Sequence, residues 1–428
     1  MASITLFALL LFCIFIGVPI AFAIGISSSL VIMIFAPVSE LFQPRSIVTA
    51  INSFPILAIP LFILAGDLML TGGLSKRLIG FSESLVGSFK ANLSYMTVLA
   101  STFFAAISGS GPATVAAIGS NTVPEMVKRG YPKDYSTALA AVSGMIGVMI
   151  PPSIPFIMYG IAAEQSISKL FIAGVGPGLV FAAGFMITAR VMYSILKLNC
   201  TTTPFNFRNV FRSAKEAFFA ILAPVIVLGG IYGGMFSPTE AAAIAVFYAL
   251  FVGLFVYKEL NFKNILDIFN RSTITSCSVL VIVAFASTFG RILTLERVPN
   301  QIAASMAAFS DNPLVLLLII NLFLLVVGMF METIASIIIL TPILLPVIKN
   351  FGIDPILFGV VMVVNLAIGF CTPPLGVNLF VAAGISNIRI EYVVKAVLPY
   401  LFTMLVMLAI VTYIPTVSLW LPRLLFGT

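Results

Sequence analysis

The sequence predicts an all-α polytopic membrane protein built from two inverted repeats, each holding a re-entrant helical hairpin and a broken helix. Three observations carry that expectation. Of the 428 residues, 61% are hydrophobic and 9% charged, whereas a soluble domain carries about 25% charged residues. Apolar runs recur from Ser3 to Trp420 with short polar joints between them. The chain also repeats itself at an offset of 222 positions, which superposes Pro124 on Pro346, Gly130 on Gly352, Gly147 on Gly369, and Pro151-Pro152 on Pro373-Pro374. Matches among Gly and Pro carry weight because these residues set backbone geometry.

A helix needs roughly 20 apolar residues to cross the hydrocarbon core, and the runs supply about ten crossings plus shorter segments. No tract is long or polar enough for a second, soluble domain, so residues 1–428 form one membrane domain. The formal net charge of +7 comes from Lys and Arg in short loops. The positive-inside bias puts them there, which argues against nucleic acid as a partner. Cys13, Cys200, Cys277 and Cys371 lie in or beside apolar stretches without metal-ligand spacing, and are expected to be small buried hydrophobes. Histidine is absent, which removes the commonest metal ligand and general base. No basic residue precedes Ile4–Ala36, so this stretch is expected to be mature membrane structure rather than a cleaved signal, with a break near Gly17-Val18-Pro19.

The repeat divides the chain into residues 1–203 and 204–428, joined by a polar stretch from Pro204 to Lys215. In the first half, a hairpin is expected over about residues 94–126: Ser94–Ile107, a tip at Ser108-Gly109-Ser110-Gly111-Pro112, then a second limb to Met126. Limbs of about 14 residues reach roughly 20 Å, short of the roughly 30 Å core, so the segment enters and leaves on one side. The second hairpin is expected over about 313–349, with limbs Leu314–Met331 and Ile334–Val347 about a Glu332-Thr333 tip. That tip lacks Gly and Pro, and its assignment rests on the repeat.

Lys76, Arg77, Lys90, Lys128, Arg129 and Lys133 flank the first hairpin, whereas Arg291, Glu296, Arg297, Asp311, Lys349 and Asp354 flank the second. The positive-inside rule opens the first toward the cytoplasm, leaving the second to open outward. Three crossings, a hairpin, a broken helix and a last helix per half would then place both termini outside.

After each hairpin comes a helix broken by a double proline, Ile150-Pro151-Pro152-Ser153 and Thr372-Pro373-Pro374-Leu375. Proline removes a backbone donor and clashes with the preceding turn. Unwound backbone in hydrocarbon is tolerated only where it is buried or lines a polar cavity. Freed carbonyls suit a hard cation, and the new helix N-terminus suits an anion. Paired broken helices in inverted repeats point to a transport site. Two cation sites are therefore expected: Ser108, Gly109 and Ser110 with Gly144 and Gly147, and Glu332 and Thr333 with Gly369, Cys371 and Thr372. Substrate is expected between the tips, near Ser110, Gly111, Pro152, Ser153, Pro374 and Asn378. Hydroxyls and carbonyls are plentiful at the breaks. Intramembrane carboxylates are few (Asp67, Glu164, Glu240, Glu332), which favours Na⁺ over a proton relay.

Ser237-Pro238-Thr239-Glu240 reads as a capping box with proline at the first helical position. Asp67 and Arg291 are placed near helix ends rather than in a site, and no Arg is expected in the pocket. Trp420 and Tyr413 read as interface anchors. No Gly-x-x-x-x-Gly-Lys-Ser/Thr phosphate loop occurs. The rival class, a membrane-embedded enzyme, would need Ser108 or Ser110 as nucleophile, and no general base is evident.

Ser108-Gly-Ser-Gly-Pro-Ala-Thr-Val-Ala-Ala-Ile-Gly119, Ser237-Pro-Thr-Glu-Ala-Ala-Ala243 and Asn365-Leu-Ala-Ile-Gly-Phe-Cys-Thr-Pro-Pro-Leu-Gly376 resemble the large membrane subunit of TRAP transporters, the tripartite ATP-independent periplasmic class. The likeness covers nearly the whole chain. It implies an elevator-type fold in which a moving part, here about 94–167 and 312–387, carries both hairpins. It also implies Na⁺ at the hairpin tips and broken helices, a small four-helix membrane subunit, a periplasmic binding protein, and import of an organic acid across the bacterial inner membrane. The length suits a large subunit separate from the small one. Sialic-acid members are the nearest in appearance; C4-dicarboxylates and keto acids are the alternatives within the class. A stand-alone Na⁺/anion symporter is the alternative in mechanism.

Overall fold

A computed structural model describes residues 2–35, 41–198, 202, 204–310 and 312–427, all helical or connecting. The expectations placed on Ala36, Cys200, Thr203 and Asp311 fall outside the described residues.

The first hairpin begins with the Asn92–Ser108 helix, which Gly109 ends in a left-handed conformation (φ 61°). Glycine is needed here, because a Cβ on Gly109 would stand 2.5 Å from the Pro152 carbonyl oxygen. Ser110 starts the second limb, its hydroxyl accepting from the Ala113 N–H with Pro112 in the first turn. That limb runs through a π-helical turn at Val115–Gly119 into the Ser120–Lys128 helix. Below it, Arg129 binds Glu125 at 2.6 Å and Glu83 at 2.9 Å, tying the foot of the hairpin to the Leu74–Val86 helix.

The second hairpin pairs Pro313–Phe330 with Thr333–Asn350. It turns without glycine, using extended backbone at Met331 and Glu332 (φ −120° and −66°). The Glu332 carboxylate accepts from the N–H groups of Ile334 (2.9 Å) and Ala335 (3.1 Å).

The first broken helix runs Lys133–Gly144, tightens to 3₁₀ over Met145–Val148, and restarts as Ile154–Ala163. The second runs Pro355–Gly369 and restarts as Val377–Ser386. Pro151-Pro152 and Pro373-Pro374 are both cis. Lys133 Nζ, at the start of the first, donates to the Asn387 carbonyl at the end of the second (3.4 Å). The Tyr159 hydroxyl, near the end of the first, donates to the Pro355 carbonyl at the start of the second (2.7 Å). The two broken helices are therefore antiparallel. Their starts follow the feet of the hairpins directly, so the hairpins open at opposite ends of the molecule.

Among the described residues, seven helices are long and apolar enough to span a membrane, or up to eight if the bent pair Phe207–Glu216 and Phe218–Tyr232 (61°) counts as one span. About ten crossings were expected. Breaks divide much of the apolar sequence into helices of 10–17 residues, among them Ala2–Phe15 and Ile20–Phe35 on either side of Gly17. The polar joint between the halves is helical from Phe207 to Glu216, with no buried residue. Phe207 and Phe211 are exposed on it together with Arg208, Arg212 and Lys215, the composition of a helix lying in a membrane interface.

Lipid is as apolar as the side chains facing it, so close backbone approach drives packing inside the membrane. Gly328 and Gly369 meet backbone to backbone between Pro313–Phe330 and Pro355–Gly369, and a Cβ on Gly369 would collide with the Gly328 carbonyl. Cys13 and Cys371 are buried as expected, but Cys277 is exposed. Ser237 and Glu240 form the expected capping box, with the Ser237 N–H donating to the Glu240 carboxylate at 2.7 Å.

Candidate functional site

The two hairpin tips meet at a cavity of about 310 Å³. Ser108–Ala113 line it from the first tip and Glu332–Ile334 from the second. Val148, Ile154 and Pro155 of the first broken helix and Phe370 and Val377 of the second close two sides. Helices Ala58–Thr71 and Phe262–Leu295 form the remaining wall with Ile63, Gly66, Asp67, Arg271, Thr275 and Val279.

The first expected cation group is brought together. Thr114 Oγ1 donates to the Ser110 carbonyl (2.8 Å) and meets Ser108 Oγ at 2.8 Å, while Ser108 Oγ reaches the same carbonyl at 3.4 Å. The chain passes this oxygen cluster at Gly147, where a Cβ would stand 2.6 Å from the Ser110 carbonyl oxygen. At Gly144 a Cβ would stand 3.1 Å from the Gly111 carbonyl oxygen. Gly109 accepts from the Ile154 N–H (3.3 Å), fastening the tip to the restart of the broken helix. Thr114, which completes the cluster, was missed in the sequence; its place one helical turn after Ser110 is the signal that could have found it.

The second group is not assembled in the same way. Gly369 packs on Gly328. The Cys371 thiol points to the Ala141 carbonyl (3.5 Å). Thr372 Oγ1 donates to Ile368 in its own helical turn (2.8 Å). Among the described residues, no hydrogen bond joins these three to Glu332 or Thr333. Thr333 belongs to the cavity lining, and its buried hydroxyl has no hydrogen-bond partner among the described residues.

Of the expected substrate residues, Ser110 and Gly111 line the cavity. A Cβ on Gly111 would stand 3.3 Å from Asn378 Oδ1, which places Asn378 behind the first tip, with its amide donating to Ala141 (3.1 Å). Ser153 is buried and turned away from the cavity: its hydroxyl donates to Val148 (2.6 Å) and accepts from the Phe156 N–H (3.4 Å), so it serves as a helix cap. Pro152 is buried against Gly109, and Pro374 is exposed. Neither lines the cavity.

Two expectations are corrected on the opposite wall. Asp67 and an arginine both line the cavity. Arg271 Nη2 lies 3.2 Å from Asp67 Oδ1, and the Ser272 hydroxyl donates to Asp67 Oδ2 (2.7 Å). The Asp67 side chain is 18% exposed and that of Arg271 57%, so the carboxylate is the anchored member and the guanidinium the open one. Asp67, inside an apolar run, is by default a functional-site candidate, but its partner Arg271 lies in the polar start of its helix, after Lys263, Asp267 and Asn270. By contrast, Arg291 does lie near a helix end, donating to Ser46 Oγ (3.3 Å).

Residues 7–417 match the family model for the tripartite ATP-independent periplasmic transporter, DctM component. The chain belongs to the DctM family. It is 46% identical over 405 residues to the isethionate TRAP transporter permease protein DctMQ of Oleidesulfovibrio alaskensis, covering 95% of this chain and 64% of that protein. It is 42% identical to the C4-dicarboxylate TRAP transporter large permease protein DctM of Pseudomonas aeruginosa, covering 94% of each. The sialic acid TRAP transporter large permease protein SiaM of Vibrio cholerae is 37% identical, with 96% of this chain and 96% of that protein covered. Among solved structures, the YdaH transporter of Alcanivorax borkumensis, described as having an unusual topology, has the same fold. It matches with a TM-score of 0.61 at 15% identity, over 89% of this chain and 88% of that one. The DctM relatives are permeases, and this chain is a multi-pass permease subunit of the bacterial inner membrane, not an enzyme.

Proposed function

We propose that this DctM-family subunit imports a small organic-acid anion by Na⁺-coupled secondary transport, with the tip cavity as the substrate site. The observation that carries this reading is the convergence of both hairpin tips and both broken helices on one cavity of about 310 Å³, within the usual size range for small-molecule sites. Ser108 Oγ, Thr114 Oγ1 and the Ser110 carbonyl supply the oxygens of a first Na⁺ site. Glu332, Thr333 and the Gly369–Thr372 turn supply a second once the tip closes on it. The hairpins and broken helices move as one body against the wall formed by Ala58–Thr71 and Phe262–Leu295, an elevator motion. A small four-helix membrane subunit and a periplasmic binding protein complete the transporter.

Within organic acids, the substrate is proposed at the level of the class. N-acetylneuraminate, suggested by the resemblance, stands beside C4-dicarboxylates, keto acids and isethionate. The isethionate relative at 46% and the Pseudomonas aeruginosa C4-dicarboxylate relative at 42% have higher identities than the sialic acid relative at 37%.

The test is uptake of labelled isethionate, succinate, 2-oxobutyrate and N-acetylneuraminate into proteoliposomes holding this chain with its small subunit. Each is measured with and without the binding protein and an inward Na⁺ gradient. Uptake that needs both is the expected result. Uptake that needs no binding protein would replace it with a stand-alone symporter, and uptake indifferent to Na⁺ would remove the coupling ion.

A further inference from the structure

We propose that Arg271 is the anion-recognising residue of the cavity, holding the substrate's acidic group against the wall that faces the hairpin tips. This rests on the reading of the cavity as the substrate site. Asp67 meets the guanidinium through one nitrogen, Nη2, at 3.2 Å. A guanidinium carries five donors in a planar fork matched to carboxylate and other oxyanions, so the contact with Asp67 leaves most of that fork free. Asp67 is itself held by Ser272 at 2.7 Å. The guanidinium is therefore held at one nitrogen by an anchored carboxylate, while its side chain stays 57% exposed on the cavity wall. Arg271, Thr275 and Val279 recur at four-residue spacing on one face of Phe262–Leu295, and all three line the cavity. Across the cavity, Glu332–Ile334 and Ser108–Ala113 of the two hairpin tips form the facing wall. The guanidinium donors left free by Asp67 fit a ligand bearing a carboxylate or sulfonate. They give the empty wall a specificity role separate from the Na⁺ oxygens of the first tip.

The test uses a cysteine at Thr275, one turn from Arg271, in the complex carrying Cys277→Ser to remove the exposed native thiol. Its modification rate is measured with an anionic sulfonatoethyl methanethiosulfonate and with a cationic aminoethyl methanethiosulfonate. With Arg271 present, the anionic reagent is expected to gain on the cationic one by about tenfold relative to the Arg271→Gln background, because a neighbouring charge sets the local concentration of small ions. An unchanged rate ratio, or an inert Thr275→Cys, would overturn the proposal whatever the complex transports. In parallel, Arg271→Gln is expected to raise the KM of the transported acid at least tenfold with a smaller change in maximal rate, and Arg271→Lys to restore part of it. Loss of maximal rate at constant KM would mean a structural role. A charge-dependent rate ratio with no uptake of any acid would leave Arg271 as an anion site and remove the transport reading instead.

Discussion

Ser110 and Glu332 stand 222 positions apart, and each caps the second limb of its hairpin through its side chain. Ser110 does so with a hydroxyl at 3.4 Å from one N–H, and Glu332 with a carboxylate at 2.9 and 3.1 Å from two. The repeat thus preserves a cap and changes its chemistry. A charged acceptor at a helix N-terminus meets both the unpaired N–H groups and the positive end of the helix dipole.

The first prediction follows from that difference. Replacing an N-cap acceptor with Ala costs about 1 kcal/mol, up to about 2. Glu332→Ala should destabilise the purified protein by the upper part of that range, Glu332→Gln by less, and Ser110→Ala least, because its bond is long. Thermal unfolding in detergent measures all three. Equal melting temperatures for Glu332→Ala and the parent would remove the cap from the list of interactions that hold the tip.

How much of this was legible in the sequence depends on where the structural information resides. The first tip and both helix breaks are written in Gly and Pro, which act on their own backbone, so Gly109, Pro151-Pro152 and Pro373-Pro374 could be placed without tertiary knowledge. The second tip has no such residues; its assignment rested on the repeat that the Gly and Pro matches establish elsewhere. Asp67 and Arg271 are 204 residues apart on helices outside both hairpins, and only packing brings them together. Ser153 was legible as a polar residue beside a break, but not its orientation, which the Val148 carbonyl determines. The sequence could not show which way Cys371 faces: its thiol turns to Ala141, in the other repeat, rather than to the second tip.

Two glycines with positive φ separate backbone strain from close approach. Gly130 (φ 91°) has nothing within 4 Å of an added Cβ. Gly130→Ala should cost about 1–2 kcal/mol through conformation alone and leave the Na⁺ dependence of uptake unchanged. Gly109 (φ 61°) would place its Cβ 2.5 Å from the Pro152 oxygen. Gly109→Ala must push the tip off the broken helix, and uptake should fall more than tenfold. If both variants transported equally, the tip would not depend on that contact.

Asn365 links three helices: its amide donates to Asn321 Oδ1 (2.8 Å) and to Val361 (2.7 Å), and Asn321 donates in turn to Thr412 Oγ1 (3.0 Å). Hydrogen bonds between membrane helices are worth about 0.6 kcal/mol on average. A double-mutant cycle of Asn365→Ala and Asn321→Ala, read by unfolding in detergent, should return a coupling of about that size. Strict additivity would mean that the two amides pack side by side without an energetic link.

The oxygen cluster of the first tip makes the sharpest demand on the cation proposal. Ser108 Oγ, Thr114 Oγ1 and the Ser110 carbonyl lie within hydrogen-bond distance of one another. The two hydroxyls bond within the cluster; a Na⁺ held there would require the same oxygens to turn their lone pairs inward. Removing one hydroxyl therefore weakens Na⁺ binding while leaving the backbone of the tip in place. Ser108→Ala and Thr114→Val should each raise the Na⁺ concentration for half-maximal uptake by about tenfold, with substrate KM at saturating Na⁺ little changed. Thr372→Ala should do so more weakly, because that hydroxyl already bonds to Ile368 at 2.8 Å within its own helix. Initial uptake rates across a Na⁺ titration measure each shift. Curves that coincide with the parent for Ser108→Ala and Thr114→Val would place the coupling ion elsewhere in the fold.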